Sequence, residues 1–287
     1  MSRGPSPTTT FHSKTYPSLS PTRSELSAKG KNVLITGGGT GIGAETARYY
    51  AQAGASRIAI LGRRERPLLE TKALIEQDFP EVEVIASVTD VTSKYQVNSA
   101  FSQFAESGKI HVLVSGAAVI GPQDAVRDVD SVKFLEAINQ NIQGALHVAQ
   151  AFLRYCSHDA VAIEINSSAA HLNFGPGFAC YSVAKLAVFR LWDSVAAANP
   201  DISIFHVQPG VVDTSMNREA GGVALLGYED DVSLPASFNL WLASPEARFL
   251  NRKFLWANWD IDELKAQSKE IGNGSKLDIG LVGWPFE

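Results

Sequence analysis

The sequence predicts an α/β fold: a doubly wound parallel sheet of about seven strands with helices on both faces, in a single domain. Three observations carry this expectation. Short apolar runs alternate with longer helical patterns from Lys31 onward, the rhythm of parallel strands joined by helical crossovers. The first run, Asn32 to Thr36, passes straight into a cluster of glycines. A length of 287 residues with 45% apolar content is ample for one large core.

The elements follow in order. Residues 1–28 are rich in Ser, Thr and Pro and hold a single acidic residue, Glu25. They read as a flexible leader, or as an arm lying on a neighbouring subunit. Few arginines and no amphipathic pattern weigh against an organellar transit peptide. The main domain is expected over 29–260. Its strands are placed at Asn32 to Thr36, Arg57 to Leu61, Val82 to Ser87, Ile110 to Ser115, Val161 to Asn166 and Ile202 to Gln208, with helices between them. After Pro209 the pattern breaks around Gly221, Gly222 and Gly227. Residues 215–233 are read there as a lid over a substrate, the plain alternative being a surface excursion. Residues 261–287 form a C-terminal extension that packs on the domain or on a neighbouring subunit. Its segment Lys276 to Phe286 reaches a partner or borders a pocket, and Trp256, Trp259 and Trp284 are packing anchors.

Charge and cysteine usage narrow the function classes. A net charge of −5 and a pI near 5.7, without basic runs, exclude an electrostatic footprint for nucleic acid or an anionic membrane. A small-molecule partner is expected instead. No run approaches the length of a membrane span, and the N-terminus lacks the apolar centre of a secretory signal. The expected location is therefore cytoplasmic. Cys156 and Cys180 make no C-x-x-C and no metal-ligand spacing, and none of the six histidines pairs with another at i, i+4. No metal is expected, and Cys180, directly before Tyr181, reads as a buried inert thiol.

The chemistry lies in two motifs. Thr36-Gly-Gly-Gly-Thr-Gly-Ile-Gly43 follows a strand and opens a helix. Gly37, Gly41 and Gly43 permit the tight turn, and the N–H groups around Thr40 and Ile42 approach a pyrophosphate at the positive end of the helix. The next strand ends at Leu61-Gly62, about twenty residues on, where dinucleotide folds often carry an acid facing the ribose. Here Gly62 stands instead, followed by Arg63 and Arg64, whose guanidinium groups suit a 2′-phosphate. The cofactor expected is NADP(H), unless both arginines merely decorate a helix start. In the second motif, Tyr181 and Lys185 stand one helical turn apart, downstream of Ser168. A phenol, with its pKa near ~10, exchanges protons poorly at neutral pH. A neighbouring ammonium favours the phenolate, and a serine hydroxyl can polarise a carbonyl. By itself the tyrosine–lysine spacing is common, so its companions carry the argument.

With these motifs the chain resembles the short-chain dehydrogenase/reductase family over about Lys31 to Asp260, and most closely its fungal NADP-dependent reductases. The family's TGxxxGxG stands at Thr36 to Gly43, its adenine contact at Asp90-Val91, and its helix asparagine and glycine at Asn141 and Gly144. Its serine falls at Ser168 within Asn166-Ser-Ser-Ala, and Tyr181 and Lys185 complete the set. Its Pro-Gly motif is Pro209-Gly210, which places the Val212 backbone and the Thr214 hydroxyl against the nicotinamide carboxamide.

The resemblance implies a Rossmann-type fold and NADPH-dependent reduction of the ketone of a small to medium hydrophobic substrate, reversible to the alcohol. Tyr181 is then the proton donor and Ser168 holds the carbonyl oxygen. Lys185 lowers the tyrosine pKa and binds the ribose, and Asn141 anchors a relay water. The alternatives are a non-redox enzyme on the same scaffold (isomerase, cyclase or dehydratase) and a dinucleotide-sensing regulator. A homodimer or homotetramer is implied, pairing through the helices that carry Asn141 and Tyr181. Ala184 to Ala198, apolar around most of its circumference, fits that role. The substrate pocket is expected from Ile120 to Val126, Ala169 to Cys180 and the lid, with Leu172, Phe174, Phe178, Met216, Leu225 and Leu226 supplying apolar surface. Two departures stand out. Ser115-Gly-Ala-Ala118 replaces the family's Asn-Asn-Ala-Gly, which removes amide contacts that brace the sheet edge. Trp256-Ala-Asn-Trp-Asp260 replaces its terminal Asp-Gly-Gly.

Overall fold

A computed structural model describes residues 6–281, apart from the side chains of residues 225 and 226. Seven strands make one sheet: β1 Asn32–Thr36, β2 Arg57–Gly62, β3 Glu83–Val88, β4 Ile110–Ser115, β5 Cys156–Ile165, β6 Ser203–Gln208 and β7 Phe254–Trp256. Their order is β3-β2-β1-β4-β5-β6-β7, and every neighbouring pair is parallel. The chain starts at the centre, winds outward through β2 and β3, then returns past β1 to β4. That reversal opens a crevice at the carboxyl ends of the central strands, where ligands bind in open α/β sheets.

The helices are α1 Gly41–Gln52, α2 Glu65–Asp78, α3 Lys94–Ala105, α4 Ser131–Tyr155, α5 Ala179–Ala198, α6 Ser215–Glu219, α7 Val223–Leu226, α8 Ser233–Leu242, α9 Ile261–Ala266 and α10 Ser268–Asn273. Alternation along each strand sends side chains to opposite faces, so the sheet carries two apolar layers. Val33, Ile35, Ile58 and Ile60 pack with Tyr50 of α1, Leu68 of α2 and Phe238 of α8. Leu34, Ala59 and Leu113 pack on the other face with Phe101 of α3, Phe152 of α4 and Trp192 of α5. Phe101 and Phe152 are fully enclosed, and each contributes roughly 1.5–3 kcal/mol by burial. Helix α4 starts where Asp130 accepts the N–H groups of Val132 and Lys133, an N-cap that offsets orphan donors of the first turn.

Strand β5 begins at Cys156, ahead of the expected Val161. Its first stretch carries exposed His158 and Asp159, so it has no apolar signature. It pairs across an irregularity between Ile110 and Val112. The larger correction concerns residues 6–28, which are not a flexible leader but are fastened to their own domain. The backbone N–H groups of Thr9 and Thr10 donate to Glu263 at 2.6 and 2.9 Å, and Phe11 bridges to Trp259. Ile261 donates its N–H to Tyr16 Oη at 2.8 Å. Arg23 pairs with Glu246 at 2.7 Å, while Leu19 and Leu26 sink into the core. The Ser/Thr/Pro average conceals these anchors, which are spaced along the segment rather than clustered.

The described part of the C-terminal extension likewise lies on its own domain. It buries Ile261, Leu264 and Ile271, and Lys253 Nζ holds it by bonds to Gly274 O and Asp278 at 2.6 and 2.9 Å. Residues 282–287, with Trp284 and Phe286, are outside the described residues. Trp259 is buried, and Trp256 stacks on it with centroids 6.2 Å apart. Among the described residues no helix is long and apolar enough to cross a membrane.

Candidate active site

At the carboxyl ends of the strands lies a cavity of about 940 Å³. Its wall contains every residue the sequence marks for catalysis or cofactor binding: Gly37, Thr40, Gly41, Ile42 and Gly43 from the first turn; Arg63 and Arg64 after β2; Asp90 and Val91 after β3; Asn141; Ser168; Tyr181 and Lys185; Val212 and Thr214.

The turn between β1 and α1 is shaped by close backbone approach. A Cβ on Gly43 would lie 2.3 Å from the carbonyl oxygen of Gly37, so no larger residue fits there. Thr40, the N-cap of α1, makes no side-chain capping bond. The first N–H groups of the helix are left for an anion, which the helix dipole also favours. The brace thought lost with the missing asparagines is supplied from β1 instead. Thr36 Oγ1 accepts the N–H groups of Gly116 and Ala117 at 3.1 and 3.2 Å.

Arg63 and Arg64 are exposed where β2 ends, and among the described residues neither forms an ion pair or hydrogen bond. Asp90 accepts the N–H and hydroxyl of Thr92 at 2.9 and 2.8 Å. The Thr92 N–H, aided by the nearby Arg63 charge, holds the Asp90 carboxyl below its ordinary pKa. A cationic fork beside an open helix N-terminus fits the phosphates of a dinucleotide.

On the opposite wall, Ser168 donates its backbone N–H to Gln208 Oε1 at 2.8 Å. Lys185 is 5% exposed, donates from Nζ to Ile165 O at 2.6 Å, and lies 5.7 Å from the centroid of the Tyr181 ring. Among the described residues the hydroxyls of Ser168 and Tyr181 have no hydrogen-bond partner, so both remain free for a ligand oxygen. Asn166 ties the end of β5 to α5. Its Nδ2 donates to Glu164 Oε2 at 2.8 Å and to Lys185 O at 3.1 Å, while its Oδ1 accepts from Ser167 N at 2.7 Å. Beneath it, fully buried Glu164 and His206 face each other at 3.3 Å.

The Asn141 amide is largely committed elsewhere. Both Nδ2 protons go to the carbonyls of Val119 and Ala137, at 3.0 and 2.9 Å, and Oδ1 accepts from Val119 N at 3.1 Å. Its evident work is to clamp the loop after β4. Thr214 Oγ1 caps α6 by accepting from Asn217 N at 3.1 Å, which leaves its O–H available as a donor.

Ile120, Ala169, Phe174, Phe178, Met216 and Tyr228 form an apolar end of the cavity, and the rings of Phe174 and Phe178 are 5.4 Å apart. Leu172 is not on this wall, and the side chains of Leu225 and Leu226 are outside the description. Gln123 Nε2 donates to Glu219 O at 2.7 Å, joining the loop after β4 to the end of α6. Sequence reasoning passed over Gln208 as a site-shaping residue, and gave Thr36 and Gln123 no role beyond their place in the glycine motif and the Ile120 to Val126 loop. For Gln208 the available signal was its place directly before Pro209.

Three comparisons bear on this arrangement. The family described as short chain dehydrogenase matches residues 31–222. The chain is 34% identical over 279 residues, 96% of each chain, to the short chain dehydrogenase/reductase AacuD of Aspergillus aculeatus. It is 32% identical over 283 residues to a short chain dehydrogenase/reductase of Claviceps purpurea, covering 97% of this chain and 95% of that one. Among solved structures, a short chain dehydrogenase from Burkholderia cenocepacia in complex with NADP superposes with a TM-score of 0.74 at 24% identity, over 82% of this chain and 99% of that one. A short-chain type dehydrogenase/reductase from Mycobacterium marinum superposes with a TM-score of 0.73 at 27% identity, over 80% and 95%.

Proposed function

The chain belongs to the short-chain dehydrogenase/reductase family, and from that premise we propose that it uses NADPH to reduce the ketone of a small to medium hydrophobic substrate. The observation that carries this reading is the pair of hydroxyls, Ser168 and Tyr181, without a partner among the described residues, lining one cavity with the glycine turn and buried Lys185.

When bound, the nicotinamide supplies the hydride. The chain's own residues do the rest. Ser168 donates a hydrogen bond to the carbonyl oxygen, drawing charge toward it, and Tyr181 Oη transfers the proton that completes the alcohol. Lys185 keeps a positive charge beside the phenol, and the ammonium protons not given to Ile165 O are free for ribose hydroxyls. Asn141 keeps one Oδ1 lone pair with which to hold a relay water. Arg63 and Arg64 select the 2′-phosphate, in keeping with the NADP held by the Burkholderia relative. The apolar end around Phe174, Phe178 and Met216 receives the body of the substrate.

The test is fluorescence titration with NADPH and NADH, followed by oxidation at 340 nm against a panel of ketones and quinones. NADPH should bind more tightly and be consumed in step with product. Tyr181→Phe should abolish turnover and leave NADPH binding intact, and a variant that still turns over would sink the assignment. Assembly is part of the same reading: α4 and α5 expose Val132, Leu135, Val183 and Leu186, a surface suited to a second copy of the chain.

A further inference from the structure

The N-terminal arm and the Trp-Ala-Asn-Trp-Asp departure after β7 meet at one buried carboxylate. Asp230, 2% exposed, lies at the far end of the lid segment. Its Oδ2 accepts the N–H of Val211 at 2.8 Å, and its own N–H donates to Val211 O at 2.7 Å. Both bonds grip the segment directly after Pro209-Gly210, which leads to Val212 and Thr214 on the cavity wall. Gly210 is required by this grip. It has φ +94°, and a Cβ there would stand 2.6 Å from Asp230 Oδ2.

The other oxygen of Asp230 is held by Asn258, the central residue of the Trp-Ala-Asn-Trp-Asp sequence. Asn258 Nδ2 donates to Asp230 Oδ1 at 3.0 Å and to His12 O at 2.8 Å. The arm answers with two backbone bonds, His12 N to Asn258 O at 2.8 Å and Asp231 N to Ser13 O at 2.7 Å. Asn258 is itself buried. A donor that serves two acceptors inside the protein cannot be replaced by an apolar group without orphaning both.

We infer that Asn258 and Asp230 are positioning residues for the nicotinamide half of the cofactor, through which the N-terminal arm holds residues 211–214 in register with the cavity. This rests on the NADP(H) reading above. The physical reason is directional. Val211 N–H is fixed by a carboxylate that has a single in-plane orientation once Asn258 clamps its other oxygen. Val212 then inherits that orientation, and the turn bond from Thr214 N to Val212 O at 2.8 Å carries it on to Thr214 at the start of α6. The Arg63–Arg64 end of the cavity lies on β2 and α2 and takes no part in this network.

Asn258→Ala, Asp230→Asn and the double exchange of Asp230→Asn with Asn258→Asp are compared with wild type by titration with NADPH and with adenosine 2′,5′-bisphosphate, which lacks the nicotinamide. In the double exchange, the amide introduced at position 230 can donate to the carboxylate introduced at position 258 while its oxygen still accepts from Val211, so the grip is remade without the arm's bond at His12 O. Asn258→Ala should weaken NADPH about tenfold, the scale of the lost buried bond to Asp230 alone, since the bond to His12 O does not touch residues 211–214, and leave the bisphosphate unchanged. The double exchange should recover a large part of that loss. Equal weakening of both ligands, or of neither, overturns the inference. Amide hydrogen exchange on the free proteins decides independently of the cofactor. Faster exchange at Val211 in Asn258→Ala supports the anchor, and unchanged exchange refutes it. Failure of wild type to bind NADPH, with Val211 still deprotected in the variant, would remove the cofactor reading and keep the anchor.

Discussion

Glu164 shows how much of the site rests on side chains that never touch a ligand. Its Oε2 receives Asn166 Nδ2 and faces His206 Nδ1, while its Oε1 and His206 Nε2 have no partner among the described residues. Removing one member leaves the other buried and unmatched, an expensive state in a low-dielectric interior. Glu164→Ala should therefore lower stability by about 3 kcal/mol in urea unfolding, and Glu164→Gln, which keeps an acceptor for Asn166, by less. Arg63 and Arg64 sit at the opposite extreme, exposed and with no side-chain partner among the described residues. Arg64→Ala or Arg63→Ala should weaken NADPH roughly tenfold each, the worth of a charge-assisted contact, with NADH affinity nearly unchanged in the same titration. Equal losses for the two cofactors would return both arginines to the role of helix-start decoration. At this scale the sequence is most informative where chemistry demands one residue type. Tyr181, Lys185, Ser168 and the glycines declare themselves by spacing, whereas Gln208 acts through a side-chain hydrogen bond to the Ser168 backbone that no spacing rule encodes.

Among the elements, the arm over residues 6–28 was the least legible. Strands such as β1 and β4 announce themselves by continuous apolar runs buried on both faces. The arm instead relies on isolated anchors, and its partners Trp259, Ile261 and Glu263 lie at the far end of the chain. Its polar fastening has a pH signature. Hydrogen bonds from Thr10 and Thr9 pull the Glu263 carboxyl down from its ordinary 4.5 to about 2. A depressed carboxyl contributes its full stabilisation above pH 4.5, and that contribution is lost as pH falls toward 2. Pepsin cleavage of the arm, measured relative to the core, should therefore rise as pH drops through that window. Glu263→Gln should flatten the response. A wild-type rate that follows only the enzyme's own pH profile would show that Glu263 does not fasten the arm. The break in the pattern after Pro209 was legible, because Gly221, Gly222 and Gly227 interrupt the helical periodicity and only the short helices α6 and α7 form there. The tie of Gln123 to this segment was invisible, since a side chain donating to a backbone carbonyl leaves no trace in residue type.

For the whole molecule, a doubly wound parallel sheet of about seven strands was implied by the alternation of strand and helix together with the family resemblance, and the seven-stranded parallel sheet agrees with it. The extent of the wrapping was not implied, since it depends on contacts between the two ends of the chain. The exposed apolar residues of α4 and α5 argue for association through that face. Light scattering should give at least twice the 30.9 kDa of one chain, and Leu135→Asp with Leu186→Asp should return a single-chain particle. A wild-type protein that already scatters as 30.9 kDa would refute the pairing.

Asn258 and His12 are 246 positions apart, and Glu263 and Thr9 are 254 apart. The arm therefore closes on a segment from the opposite side of the sequence, whereas the strands and glycine turn of the first half need neither of these contacts. A polypeptide cut short before Asn258 keeps Asn141, Ser168, Tyr181 and Lys185 but loses the donor to Asp230 Oδ1.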